Sequence, residues 1–214
     1  LLLQGSIFPQ GDSRDIGVAS KTLVKPISQA AGYSESRVVS LWREEGDLGL
    51  AAELLTKQRR QQTLFSDSLD IEEVYNTLVT VAETEGEGST DRKVQLIAKL
   101  LSCADPVEAK FVVRLALQNL RIGLGEGTLR DAVAWAFLDE ARPEYDGETE
   151  SITPESREVY DRCITGVQNV LDKTSDFFFA VTKAREGLAA LERVDFVIGK
   201  PVKVMLAQSI TGEE

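Results

Sequence analysis

Apolar residues recur along most of this chain three and four positions apart, the period of an α-helix with one buried face. The pattern predicts the tail of a helix over residues 1–5, a loop with Pro9 and Gly11 through Arg14, and a helix over residues 21–31. Pro26 falls inside that helix and removes a backbone hydrogen bond, so a kink or a late start is expected. Val38, Leu41 and Trp42 mark a short inward-facing helix over 34–44 closed by Gly46, and Asp47 is placed to cap the next, over 48–58. Asp70 and Glu73 have capping-box spacing ahead of Val74, Leu78, Val81 and Ala82. Gly86 and Gly88 end that helix, and residues 89–93 open another with Val94, Ile97, Leu100 and Leu101 on one face. Asp105, Pro106 and Glu108 supply the cap, proline and returning carboxylate of a further helix start, which carries Phe111, Val112, Leu115 and Leu117. Beyond a glycine-rich turn, Leu129, Val133, Ala136 and Phe137 resume the helical period, and residues 139–151 read as a solvated acidic linker or loop. Thr153-Pro154 is expected to cap a helix reaching Leu171, and Ser175 to open one ending near Leu191. From Val194 the texture becomes β-branched and proline-containing, as in an extended link into a different domain.

The stretch around Arg121 is the most informative. In Arg121-Ile122-Gly123-Leu124-Gly125-Glu126-Gly127-Thr128-Leu129, three glycines on alternate positions leave the backbone bare just before a helix N-terminus. Unpaired N–H groups and the positive end of the helix dipole meet there, Arg121 and Arg130 add charge, and Thr128 adds a hydroxyl, a combination that suits a phosphate. The same words occur earlier: Ile16, Gly17, Thr22 and Leu23 align with Ile122, Gly123, Thr128 and Leu129. Two related units follow, each ending a helix, turning, and presenting a new helix start; a ligand with a two-fold backbone, such as duplex DNA, suits two like seats. A glycine-rich turn between helices is more often only a packing corner, and it is the repeat that tips the balance. The spacing is neither the dinucleotide fingerprint nor a P-loop.

At 214 residues and 43% hydrophobic content the chain can bury a real core, as one large or two small domains. No apolar run reaches membrane-spanning length and no signal segment opens it, so a soluble, intracellular protein with no membrane partner is expected. It begins with Leu1 inside an apolar run, as a fragment with residues upstream would. Histidine is absent, which excludes Ser-His-Asp and Cys-His catalysis and histidine metal sites; Cys103 and Cys163 read as core thiols of a reducing compartment, and no metal site is expected. The net charge of −11 argues against nucleic acid as an average. Residues 139–161 alone carry −7 of it, leaving −4 for everything else, and Lys57, Arg59, Arg60, Arg92, Lys93, Lys110, Arg114, Arg121 and Arg130 are locally basic. An acidic surface also suits a protein working in concentrated salt.

Two further stretches invite chemistry. Gln61-Gln62-Thr63-Leu64-Phe65 could anchor in a partner's pocket or tuck into its own core. Glu144-Tyr145-Asp146-Gly147 imitates the Lys-x-Asp-Gly signature of nucleotidyltransferases, but Glu144 stands where the nucleophile must be, and a carboxylate cannot form a phosphoramide.

Three stretches in order, residues 15–32, residues 74–137 and Gly199-Lys200-Pro201-Val202-Lys203-Val204-Met205-Leu206-Ala207, resemble ATP-dependent DNA ligases of the archaeal and eukaryotic type. The resemblance implies an all-α, multi-helix DNA-binding domain over residues 1–197 with an internal pseudo-two-fold repeat and an acidic insert near 139–151. A short extended link, 198–214, would lead into an adenylation domain. Carried over, the DNA contacts fall at Gly17, Lys21 and Thr22; at Ser89, Thr90 and Lys93; and at Arg121, Gly123, Gly125, Gly127 and Thr128. Ala19 and Ser20 depart from the glycine-richer turn of the family. Gln61, Leu64 and Phe65 look like a sliding-clamp motif, with Leu64 in place of a usual aromatic. The family binds nicked double-stranded DNA in replication, repair and recombination, and uses ATP and Mg2+ to adenylate a lysine and seal the nick. No catalytic residue of that reaction is in this chain, so it is expected to bind neither cofactor and to be inactive alone, a cytoplasmic, nucleoid-associated monomer. The rival expectation is a non-enzymatic helical scaffold that binds a sliding clamp without DNA.

Overall fold

The structure is a computed structural model that describes residues 2–8, 12–59, 69–147, 151–154, 156–199 and 201–202. The fold is all-α apart from one short hairpin, and its residues form two compact units, the first spanning residues 2–8 and 12–123, the second running from residue 124 onward.

In the first unit, a 3-10 turn at Leu2–Gln4 precedes α1 (Ser20–Ala31), α2 (Glu35–Glu45), α3 (Leu48–Lys57), α4 (Ile71–Glu83), α5 (Ser89–Cys103) and α6 (Pro106–Ala116). Each helix buries the stripe its spacing marks: Leu23, Ile27, Val38, Leu55, Leu78, Ile97, Leu101 and Val113 are all almost fully buried in one core. Complete burial of such a side chain stabilises by about 1.5–3 kcal/mol. The predicted late start at Pro26 does not occur. α1 runs unbroken from Ser20 with Pro26 buried in its interior. Asp70 accepts the Glu72 amide at 3.3 Å, while the box at the next proline start forms as expected, with the Asp105 amide donating to Glu108 at 2.8 Å.

The chief packing pairs are α3 on α6 and α1 on α5. Gly49 makes the first possible: a Cβ there would lie 2.8 Å from the Lys110 carbonyl oxygen and 2.9 Å from Arg114 Cγ. Two cations that sequence alone left open are structural. Arg59 donates to the Ser102 and Ala104 carbonyls at 2.7 and 3.1 Å, closing the C-terminus of α5, and Lys110 pairs with half-buried Glu53 at 2.7 Å.

The second unit contains α7 (Glu126–Phe137), a 3-10 turn at Asp139–Ala141, strands β1 (Pro143–Asp146) and β2 (Ser151–Pro154), α8 (Arg157–Thr174), α9 (Phe177–Arg185) and α10 (Leu188–Glu192). Its core gathers Val133, Ala134, Leu138, Cys163, Val167, Leu171, Ala180, Ala184 and Leu191. Gly166 admits α10 against α8, since a Cβ there would meet Leu188 Cδ1 at 3.1 Å.

Several expectations fail in this unit. The acidic stretch is not all loop: β1 and β2 pair antiparallel with Pro143 opposite Pro154, so Thr153-Pro154 ends a strand, and Ser156 caps α8 instead. Ser175 takes the left-handed conformation that ends α8, and Asp176 caps α9. The single helix expected up to Leu191 is broken at Gly187, whose φ of +100° ends one helix before the next begins. α7 buries Val133 and Ala134, leaving Ala136 and Phe137 exposed. Gln61, Leu64 and Phe65 lie outside the described residues, as does residues 203–214 of the expected link. Among the described residues no helix is long and apolar enough to cross a membrane.

Gly49→Val should lower stability by about 1–3 kcal/mol, because the carbonyl it meets is backbone and cannot rotate away. An unchanged urea midpoint would show that α3 and α6 separate freely.

Candidate nucleic-acid interface

The N–H groups of a helix's first turn have no partner inside the helix and are normally met by a side-chain oxygen at the N-cap. Ser34, Asp47, Asp70, Ser156 and Asp176 do this for α2, α3, α4, α8 and α9. The N-caps of α1, α5 and α7 are Ala19, Gly88 and Gly125, and none makes a side-chain cap; of the rest, only the five-residue α10 also starts from a glycine. These three helix starts carry Lys21 and Thr22, then Ser89 and Thr90, then Gly127 and Thr128, all marked for phosphate contact from the sequence.

In the first unit the marked residues converge. Gly17 has φ +64°, and its amide donates to Asp15 Oδ1 at 3.2 Å. Lys93, on the second turn of α5, donates its ammonium to the Ile16 carbonyl at 2.9 Å; a Cβ on Gly17 would lie 3.0 Å from that nitrogen. Lys25 on α1 pairs with Asp91 on α5 at 2.9 Å, holding Asp91 below the ordinary carboxylate range chiefly through that hydrogen bond. Gln118 donates to Asp15 Oδ1 at 2.6 Å, which ties the 15–17 corner to the 118–123 loop. Exposed Lys21 has no ion-pair partner among the described residues, whereas Lys93 is half-buried and partly committed to the fold.

The 118–123 loop is bent by three left-handed residues, Gln118 at φ +53°, Arg121 at +51° and Gly123 at +69°. Two of them are not glycine, and such backbone costs of order 1 kcal/mol each unless something holds it. The Asn119 amide donates to the Arg114 carbonyl at 2.9 Å, and Arg114 reaches the Leu120 carbonyl at 3.1 Å. Behind it sits Asp47, buried, which caps α3 by accepting the Leu50 amide at 2.8 Å and takes Arg114 Nε at 3.3 Å and Arg121 Nη1 at 3.1 Å.

Gly125, Gly127 and Thr128 belong to the second unit, at the start of α7. Nothing lies within 4 Å of a Cβ placed on Gly125, and only Arg130 approaches one on Gly127, at 3.9 Å. Gly125 also has φ −83°, open to any residue. Neither glycine is required by this fold. Arg130 is engaged by Asp131 at 2.6 Å and Gln168 at 3.0 Å, so its charge is partly neutralised.

The two sequence-related corners share a local backbone. Gly17 and Gly123 are both left-handed; two residues later Ala19 and Gly125 are both extended, at φ −90° and −83°; the next residue of each opens a helix of 12 residues. They differ in that Ile16 is fully buried and Ile122 is 37% exposed. Spacing did not reveal the tie of Asp15 to Gln118 or the two arginines on Asp47, because the partners are far apart in the chain.

The described residues thus form an all-α protein in which three helix starts, α1, α5 and α7, are closed by no N-cap side chain. Residues 1–134 match the family described as DNA ligase N terminus, and the chain belongs to it. It is 38% identical over 209 residues to a DNA ligase of Thermococcus fumicolans, covering 97% of this chain and 33% of that one. It is 40% identical over 208 residues to that of Nanoarchaeum equitans (97% and 33%), and 32% over 213 residues to that of Nitrosopumilus maritimus (100% and 33%). The chain thus spans about a third of the length of the curated relatives it matches.

Burial pushes the Asp47 carboxyl up, but the Leu50 amide, Arg114 and Arg121 outweigh it and hold its pKa below the ordinary aspartate value. A carboxylate depressed in the folded state contributes stability that is complete above its unfolded pKa, about 4, and is lost as pH falls through the lower folded value. Asp47→Asn should therefore flatten the acid limb of stability below about pH 4, measured by denaturant titration across pH, and leave the shape above pH 5 unchanged. An identical acid limb in variant and wild type would remove Asp47 from this role.

Proposed function

We propose that this chain is the DNA-binding region of an ATP-dependent DNA ligase and that it grips nicked duplex DNA by its backbone phosphates. Sealing, with its ATP, Mg2+ and adenylated lysine, belongs to residues outside the chain, in replication, repair and recombination. The observation that carries the reading is the set of three helix starts, α1, α5 and α7, left without side-chain caps and bearing Lys21, Thr22, Ser89, Thr90 and Thr128. Open amides at a helix N-terminus bind an anion without reading sequence, which is what a nick demands, since it can fall at any base step. The matched corners at Gly17 and Gly123 support two phosphate seats, one for each strand. Lys21 acts directly, while Lys93 acts chiefly by holding the Ile16 corner. The average charge of −11 does not oppose this, because contact is local and the acidic excess is concentrated at residues 139–161. A sliding clamp is a second proposed partner, through Gln61, Leu64 and Phe65, tested by pull-down with a Phe65→Ala control.

Duplex affinity, nicked or intact, should fall with salt along a log–log slope of about −0.9 per phosphate neutralised. No binding at low salt would end the proposal. Gly125→Ala with Gly127→Ala should cost about ten-fold or more in affinity, as for loss of a charge-assisted hydrogen bond. The same pair should keep or raise the melting temperature, because the Cβ atoms meet open space and alanine favours the helix. Unchanged affinity would show that the α7 start touches no DNA.

A further inference from the structure

Arg121 carries the charge and exposure of a phosphate ligand, yet its guanidinium already has partners: Asp47 Oδ2 at 3.1 Å and the Gly46 carbonyl at 3.4 Å. Its own backbone is left-handed, φ +51°, in a loop with Gln118 at +53° and Gly123 at +69°. Nothing about a side-chain phosphate contact requires that backbone; a strut does, because the turn brings the arginine stem back toward the α2–α3 junction where Asp47 is buried. Among the described residues Asp47 is the one carboxylate holding both Arg114 and Arg121, and Arg114 in turn holds the Leu120 carbonyl. The loop is therefore anchored at residue 120 through Arg114 and at residue 121 directly, from one buried carboxylate. The Asp15–Gln118 bond of 2.6 Å then passes that placement to the Gly17 corner.

We infer that Asp47 is the positioning residue for DNA binding, acting through Arg114 and Arg121, and that Arg121 is a strut of the 118–123 loop rather than a ligand of phosphate. The inference rests on the DNA-binding reading above and assigns roles within it. Asp47 never meets DNA; it fixes where the loop amides point.

The test pairs Asp47→Asn, which keeps an N-cap oxygen for the Leu50 amide, with Arg121→Met, which keeps the stem and removes the guanidinium. In the free protein, exchange of the Asn119 amide, which donates to the Arg114 carbonyl, should quicken about ten-fold or more in both variants while the α5 core amides stay protected. In gel shifts across a salt series each variant should lose about ten-fold in duplex affinity, the magnitude of one lost charged hydrogen bond. Arg121→Met should keep the wild-type salt slope, since a strut releases no counterions, and the double variant should bind no worse than the weaker single. A slope shallower by about one unit would make Arg121 a phosphate ligand and overturn the assignment. So would additive losses, unchanged exchange, or variants that bind as wild type does. If wild type itself binds no duplex, the DNA reading falls and takes this one with it; failure of the positioning role alone shows as normal wild-type binding with indifferent variants.

Discussion

Every α-helix begins with backbone N–H groups that its own geometry cannot satisfy, and this chain resolves that obligation in two different ways. Most helices of substantial length carry a serine or aspartate that turns back onto the first amides, which closes them. At α1, α5 and α7 the cap position holds alanine or glycine, and no N-cap side chain closes the first turn. A helix dipole whose positive end lacks a side-chain oxygen is an unfilled site for negative charge, and the proposed role of the chain follows from that single omission. The cations nearby are of two kinds, some free to meet an anion, as Lys21 is, and others spent on holding backbone, as Lys93 and Arg59 are.

An open amide is useful only if it is held in place. The loops that carry these helix starts have left-handed residues that are not all glycine, and the cost of such backbone must be met by bonds from elsewhere. Asp47 supplies them in the first unit, and it can do so because it is buried where two arginines converge from one side and the α3 start from another. Removing one partner from such a group leaves a charge unpaired, so the network resists partial change. Rigidity at the loop and openness at the helix start are thus two aspects of one arrangement.

Much of this was legible from residue order. The all-α fold, the caps at Asp47 and Asp70, the box at Asp105 and Glu108, and the buried stripes through Leu78, Ile97 and Leu101 depend on contacts within a few residues, which is the range a linear pattern encodes. The family resemblance held for the same reason, since glycines and hydroxyls at fixed offsets are local features. The second unit was read less well. Its hairpin at 143–154, the Gly187 break and the Ser156 cap lie in or beside charged stretches where no periodicity discriminates among turn, strand and helix.

Sequence by itself determined the helices of the first unit and the shared wording of the two corners, because each is settled by near neighbours along the chain. Tertiary structure alone decided which cations are free. Whether Lys93 reaches a carbonyl, whether Arg121 and Arg114 share Asp47, and whether Gly49 is pressed against Lys110 while Gly125 faces open space are matters of side chains brought together from distant positions. A charge has the same symbol in either place; only packing distinguishes one that braces the backbone from one left to meet a ligand.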